Sequence, residues 1–180
     1  LHCNDVVVIA LGSNLRGKFK SSQDLLDAAV ERLSSAGLRL RSRSRWWRSK
    51  SWPDPLQPPY INGIALVEPD HDPVRMLEKL QGIENEFGRL RGGVGHPRTL
   101  DLDIIAHGQI ISADETLILP HPRAHLRRFV MGPLAELAPG WRHPVLNLSA
   151  DELVWGTHIG NDALPIEYRD DASLAWQQAD

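Results

Sequence analysis

Cysteine is almost missing from this chain. Of 180 residues only Cys3 carries a thiol, so an internal disulfide framework is excluded and a reducing compartment is the expectation. No apolar run approaches the roughly 20 residues that cross a bilayer. The opening LHCNDVVVIALGSN also lacks a basic stretch ahead of a signal-like core. These absences point to a cytoplasmic protein with no membrane partner, although numbering that starts at Leu1 leaves an upstream segment open. Excess charge of one sign is missing too: 20 Lys+Arg stand against 23 Asp+Glu, a formal net charge of -3, which gives no global argument for nucleic acid. Dinucleotide and P-loop fingerprints, internal repeats and coiled-coil heptads are all lacking. The six tryptophans are dispersed and make no nucleic-acid motif by spacing. No obligate protein partner is evident.

What is present suits one domain over residues 1–180, with 161–180 as a peripheral acidic tail. Val6 to Leu11 is a β-branched run that predicts a buried strand. After a turn at Gly12-Ser13-Asn14, Ser21 or Ser22 caps a predicted helix whose stripe is Leu25, Leu26, Ala29, Val30 and Leu33, with Gly37 at its exit. Leu38 to Trp47 alternates as one strand, with Arg39, Arg41, Arg43, Arg45 and Trp47 on one face. That face is either a small anion-binding stripe or a solvated strand face whose arginine stems cover apolar neighbours. Arg48 to Pro59, with four prolines, predicts a loop, and Tyr60 to Val67 a strand on which Tyr60 and Asn62 share parity. Asp72-Pro73 opens a second helix carrying Val74, Leu77, Leu80, Ile83, Glu84 and Phe87. Short helices are expected at 131–138 and 149–155. The alternation of strands and helices predicts an α/β architecture.

The chemistry concentrates between Gly88 and Ile105, GRLRGGVGHPRTLDLDII. Asp101 and Asp103 interrupt an apolar strand and, at a period of two, point to one face, opposite Leu100, Leu102 and Ile104. Two acids in a hydrophobic strand need a compensating charge. They either pair with Arg89, Arg91 or Arg98, or hold Mg²⁺ on a polyphosphate whose oxygens meet the arginines. Downstream, His121 sits between prolines near Arg127 and Phe129, a plausible pocket rim. Glu84 could reach the same region from its helix end, or lie on the surface.

With ALGSNL at 10–15, PYIN at 59–62, EFGR at 86–89, PRTLDLDI at 97–104, LPHPR at 119–123 and RRFVMGPLAELAP at 127–139, the chain resembles the 6-hydroxymethyl-7,8-dihydropterin pyrophosphokinase family of folate biosynthesis. The ordered matches cover most of residues 6–145, and LDLDI with the downstream PHPR is the most specific part. The resemblance implies a ferredoxin-like α/β fold with an antiparallel-rich sheet and helices on both sides. It implies transfer of pyrophosphate from ATP to the pterin hydroxymethyl group, leaving AMP. Asp101 and Asp103 match the family's Mg²⁺ ligands, two ions being expected, and with Arg91 and Arg98 they form the expected catalytic group. Glu84, Arg91, Arg98, His121 and Arg127 match ATP-binding positions. Tyr60, Asn62 and Phe129 match the pterin pocket, Phe129 as the stacking aromatic.

The chain departs from the family pattern where Gly95-His96 replaces a tryptophan-glycine pair, where Gly92 replaces a lysine, and where Ser49-Lys50 replaces a threonine-proline pattern. Two other functions compete with this reading. One is a phosphotransferase that makes ADP on another alcohol. The other is a nucleic-acid module built on the Arg39 to Arg45 stripe.

Overall fold

A computed structural model describes residues 4–51, 54, 56–88 and 99–167. Strand β1 (Val7–Ser13) lies between β4 (Tyr60–Val67) and β5 (Asp101–His107), antiparallel to both, and its alternating faces feed two separate cores. Helix α1 (Ser22–Ser35) starts at Ser21, whose hydroxyl accepts the N–H of Asp24 at 3.1 Å, and it buries the five stripe residues its spacing predicts. Gly37 ends it at φ +82°, a backbone conformation that suits glycine. Helix α2 (Pro73–Glu86) starts at Asp72, which accepts from Val74 and Arg75. Met76, Leu80, Ile83 and Glu84 point inward, whereas Val74, expected on the apolar side, is 48% exposed in the first turn.

The single strand expected over Leu38 to Trp47 is two strands. β2 (Leu40–Arg43) and β3 (Trp47–Ser49) pair in succession with β4. Between them Ser44 bonds the β4 backbone twice, donating its N–H to the Ile64 carbonyl at 2.9 Å and accepting the Ile64 N–H on its hydroxyl at 3.0 Å. The break lets Trp46 pack in the α1–α2 core while Trp47 turns to the other side of the sheet. The loop expected from Arg48 therefore starts only after Ser49.

The sheet order is β5-β1-β4-β3-β8, where β8 is the short strand Leu164–Pro165, with β2 also on β4, and every strand pairing in it is antiparallel. Taken with α1 and α2, this is a βαββαβ unit of ferredoxin-like topology. One core joins α1 and α2 to Leu100, Leu102 and Ile104. The other packs Val8, Ile64 and Ile105 against α3 (Arg128–Leu137), α4 (Ala150–Trp155) and Trp141. Ser149 and Glu152 form a reciprocal capping box at the start of α4. Ile110 and Ile111, after the turn that follows β5, are exposed; the hairpin beyond them is β6 (Ser112–Asp114) with β7 (Leu117–Leu119).

Part of the expected peripheral tail is docked. β8 (Leu164–Pro165) pairs with Arg48 and Trp47, Ala163 is fully buried, and Ile166 donates its N–H to the Trp46 carbonyl at 2.8 Å. Residues 168–180 lie outside the described residues.

Candidate active site

Asp101 and Asp103 open β5 and are half-buried, while Leu102 between them is buried in the α1–α2 core. The period-two prediction holds: both carboxylates face the side of the sheet that carries α3. Their cross-strand partners on β1 are Gly12 and Ala10, small residues that leave space above the strands.

The segment after β7 brings cations to the same face. His121 donates its backbone N–H to the Ile105 carbonyl at 2.8 Å, which stitches the Pro-His-Pro-Arg stretch to the strand of the acids. His121 Nδ1 accepts the Arg123 N–H at 3.2 Å, so a neutral ring carries its proton on Nε2. Burial, reinforced by Arg127 and Arg123, pushes the His121 imidazole down to about 4, with Asp101 pulling weakly the other way. Burial and Arg123 also lower Arg127, again opposed by Asp103 and Asp101. Each shift has the same origin: cations gathered where water is scarce, beside two acids that compensate them only partly. Such a mouth favours an anionic ligand.

The neighbouring part of that face is built by one row of cross-strand pairs. Trp47 on β3 faces Asn62 on β4, Asn62 faces Gly12 on β1, and Gly12 faces Asp101 on β5. Asn62 is buried and donates Nδ2–H to Ser49 Oγ at 3.1 Å. A Cβ on Gly12 would lie 3.2 Å from Asn62 Oδ1 and 4.0 Å from Asp101 Cβ. The glycine thus keeps open the floor between the amide and the carboxylate. Tyr60 enters from the same face of β4, two residues from Asn62. Phe129, in the first turn of α3, is half-buried, with the Arg127 guanidinium carbon 5.8 Å from its ring centroid.

The structure thus brings Asp101, Asp103, His121, Arg127, Tyr60, Asn62 and Phe129 to one side of the sheet. Glu84 belongs to the other layer: from α2 its Oε1 accepts the Leu102 N–H at 2.7 Å, between the two aspartates. Arg91 and Arg98, and the Gly92 and Gly95-His96 departures, lie outside the described residues. A cleft of about 430 Å³ lined by Asn14, Arg16, Gln23, Pro58 and Ile61 involves none of the acids or cations of this mouth. Local sequence predicts a turn at Gly12 and a loop at Ser49, but both lie at strand ends, in β1 and β3. A glycine adjoining a strand pattern signals close approach of another group, as Asn62 approaches Gly12 here.

Among the described residues no three metal-ligating side chains cluster. Two carboxylates are nonetheless the protein donor set expected for Mg²⁺, which keeps waters and takes its other oxygens from substrate phosphates. The residues fit such an ion.

A βαββαβ sheet bearing acids and cations at one mouth is a ferredoxin-like α/β protein suited to an oxygen-rich, charged substrate. The family pattern for 7,8-dihydro-6-hydroxymethylpterin-pyrophosphokinase (HPPK) matches residues 8–139, and the chain belongs to that family. It is 42% identical over 142 residues to 2-amino-4-hydroxy-6-hydroxymethyldihydropteridine pyrophosphokinase of Pseudomonas aeruginosa, covering 77% of this chain and 83% of that one. The Synechocystis protein of the same name is 39% identical over 138 residues, 76% of this chain and 68% of that one. The folic acid synthesis protein fol1 of Pneumocystis carinii is 38% identical over 146 residues, but this chain spans only 19% of its length. Plasmodium falciparum HPPK-DHPS shares the fold at a TM-score of 0.66 with 12% identity, over 92% of this chain and 49% of that one.

Proposed function

We propose that this chain transfers a pyrophosphoryl group from ATP to 6-hydroxymethyl-7,8-dihydropterin in a cytoplasmic setting, giving AMP and the pterin diphosphate. The observation that carries this reading is the Asn62–Gly12–Asp101 row, which sets a buried amide and a carboxylate on either side of an open floor. Tyr60, Asn62 and Phe129 hold the pterin at one end of that floor. Asp101 and Asp103 hold Mg²⁺, two ions being our expectation, at the other.

The pterin hydroxymethyl oxygen attacks the β-phosphorus of ATP. The bond from that phosphorus to the bridging oxygen of AMP breaks, and the hydroxyl proton leaves to solvent. Bound Mg²⁺ supplies neutralisation of triphosphate charge. Arg127 and the Nε2–H of His121 contribute fixed donors to phosphate oxygens, and Arg91 and Arg98 are assigned the same task from the loop before β5. No side chain needs to act as a base, because an aligned primary alcohol can lose its proton late.

The arginine stripe does not support the nucleic-acid alternative. Arg39 pairs with Asp70 at 2.7 Å, Arg41 with Glu68, Arg43 with Asp27 at 3.3 Å and Arg45 with Glu136 at 3.0 Å, so its charge is locally compensated.

Asp101→Asn and Asp103→Asn test the assignment. Each keeps the size but removes an anionic oxygen, and each should cut AMP release by at least roughly 10²-fold with circular dichroism unchanged. Near-parental rates from both folded variants at limiting Mg²⁺ would overturn it.

A further inference from the structure

The family match ends at residue 139, yet the chain that follows returns to the pterin-facing side of the site. His158 and Ile159 both donate their N–H groups to the Leu126 carbonyl, at 3.1 and 3.0 Å, and Arg128 donates to the Ile159 carbonyl at 2.9 Å. Ile159 thereby forms a parallel bridge with Arg127. Gly160 follows at φ +69°, and a Cβ there would lie 2.6 Å from Phe129 Cδ1 and 3.2 Å from Cε1. Beyond it, Ala163 donates to the Gly160 carbonyl at 2.9 Å, and the Lys50 N–H donates to Asp162 Oδ2 at 2.6 Å. β8 then pairs with β3, whose Trp47 heads the row that contains Asn62.

We infer that residues 157–166 form a strap that positions the pterin-binding aromatic, with Gly160 the position that sets where the Phe129 ring sits. The strap is fastened on both sides of the ring's site: to the backbone of 126–128 by its first half and to β3 by its second. The glycine is needed twice over, for its left-handed backbone and for the absent Cβ against which the ring lies. Carbon atoms pack at about 3.5–4.0 Å, so a methyl group at Gly160 displaces the ring by about 1 Å. Aromatic stacking depends on ring placement on that scale. Gly160 acts through Phe129 and touches no reacting atom; it is a positioning residue. This inference rests on the assignment of Phe129 to the pterin pocket.

Gly160→Ala tests it, with Gly37→Ala as the control for backbone cost. Gly37 also has positive φ, at +82°, but nothing lies within 4 Å of the Cβ that would be added. Steady-state AMP release by both variants, by Phe129→Ala and by the Phe129→Ala/Gly160→Ala pair gives KM for pterin and for ATP. Gly160→Ala should raise the pterin KM by roughly three- to ten-fold while leaving the ATP KM within two-fold, the range expected for a lost stacking contact. Gly37→Ala should change neither KM. In the Phe129→Ala background, Gly160→Ala should add little, because the ring it displaces is gone. A pterin KM unchanged by Gly160→Ala, raised equally by Gly37→Ala, or raised just as much without the Phe129 ring, overturns the strap's role. If Phe129→Ala itself leaves the pterin KM unchanged, it is the assignment of Phe129 that fails.

Discussion

Glu84 offers the most direct link between the architecture of the fold and the acids on which the chemistry is proposed to rest. Glu84 is 5% exposed, and its carboxylate accepts the N–H of Leu102, the residue between Asp101 and Asp103, at 2.7 Å. Among the described residues β5 has a strand, β1, on one side only, so its outer backbone groups need partners from elsewhere. Glu84→Ala removes a charge-assisted bond and leaves a buried N–H without that acceptor, a loss of about 2–3 kcal/mol. For a chain of this length that lowers the melting temperature by roughly 4–12 °C. Glu84→Gln keeps a carbonyl acceptor of the same size and should lose only about 1 kcal/mol. Urea unfolding followed by tryptophan fluorescence reads both values from the midpoint at constant slope. With the fold intact at low temperature, Glu84→Ala should reduce turnover through misplaced aspartates, with a smaller effect on the ATP KM. A Glu84→Ala protein within about 0.5 kcal/mol of the parent, combined with a large rise in ATP KM, would refute the structural role. It would make Glu84 a nucleotide contact instead.

The proposed pterin and phosphate ends of the site should separate in calorimetry: Asn62→Ala and Phe129→Ala should weaken pterin binding while ATP binding is retained, and the reverse pattern would invert the assignment. Acid should destabilise the chain early. His121 and His143 are pushed down to about 4, mainly by burial, so between about pH 6.5 and pH 4 the unfolded chain binds protons that the folded one refuses. The stability they contribute is present above about pH 6.5 and is lost as pH falls toward their folded values. The urea midpoint should therefore drop between pH 7 and pH 4.5, and a constant midpoint would contradict buried neutral imidazoles. Glu68, Asp70 and Glu86, held below the usual range by their arginines, keep their charge to lower pH and leave that window to the histidines.

Features that depend on local periodicity were legible in the sequence. The α1 stripe, a cap at Ser21 or Ser22, a helix start at Asp72-Pro73, and the common face of Asp101 and Asp103 follow from residue type and spacing, and the structure selects Ser21 as the first cap. Among the described positions, Asp101, Asp103 and Asn62 lie along neighbouring strands of one sheet, whereas Glu84 faces the β5 backbone from α2. What escaped was long-range pairing. Ser44 breaks a strand because its hydroxyl finds the Ile64 amide, and nothing within ten residues of Ser44 announces that partner. Residues 161–180 read as an acidic, weakly periodic tail, yet within the described part of it Ala163 is buried and β8 pairs with β3, more than a hundred residues upstream. Arg39 to Arg45 looked like a basic stripe because Asp70, Glu68, Asp27 and Glu136 lie on other elements.

The measurement closest to the central claim is the mass of the products formed from ATP, Mg²⁺ and 6-hydroxymethyl-7,8-dihydropterin. Attack at the β-phosphorus predicts AMP and a pterin carrying two phosphates in equal amounts, with both absent when the pterin is omitted. ADP with a singly phosphorylated pterin would mean attack at the γ-phosphorus. It would contradict the placement of the pterin hydroxyl relative to Asp101 and Asp103 on which the whole account depends.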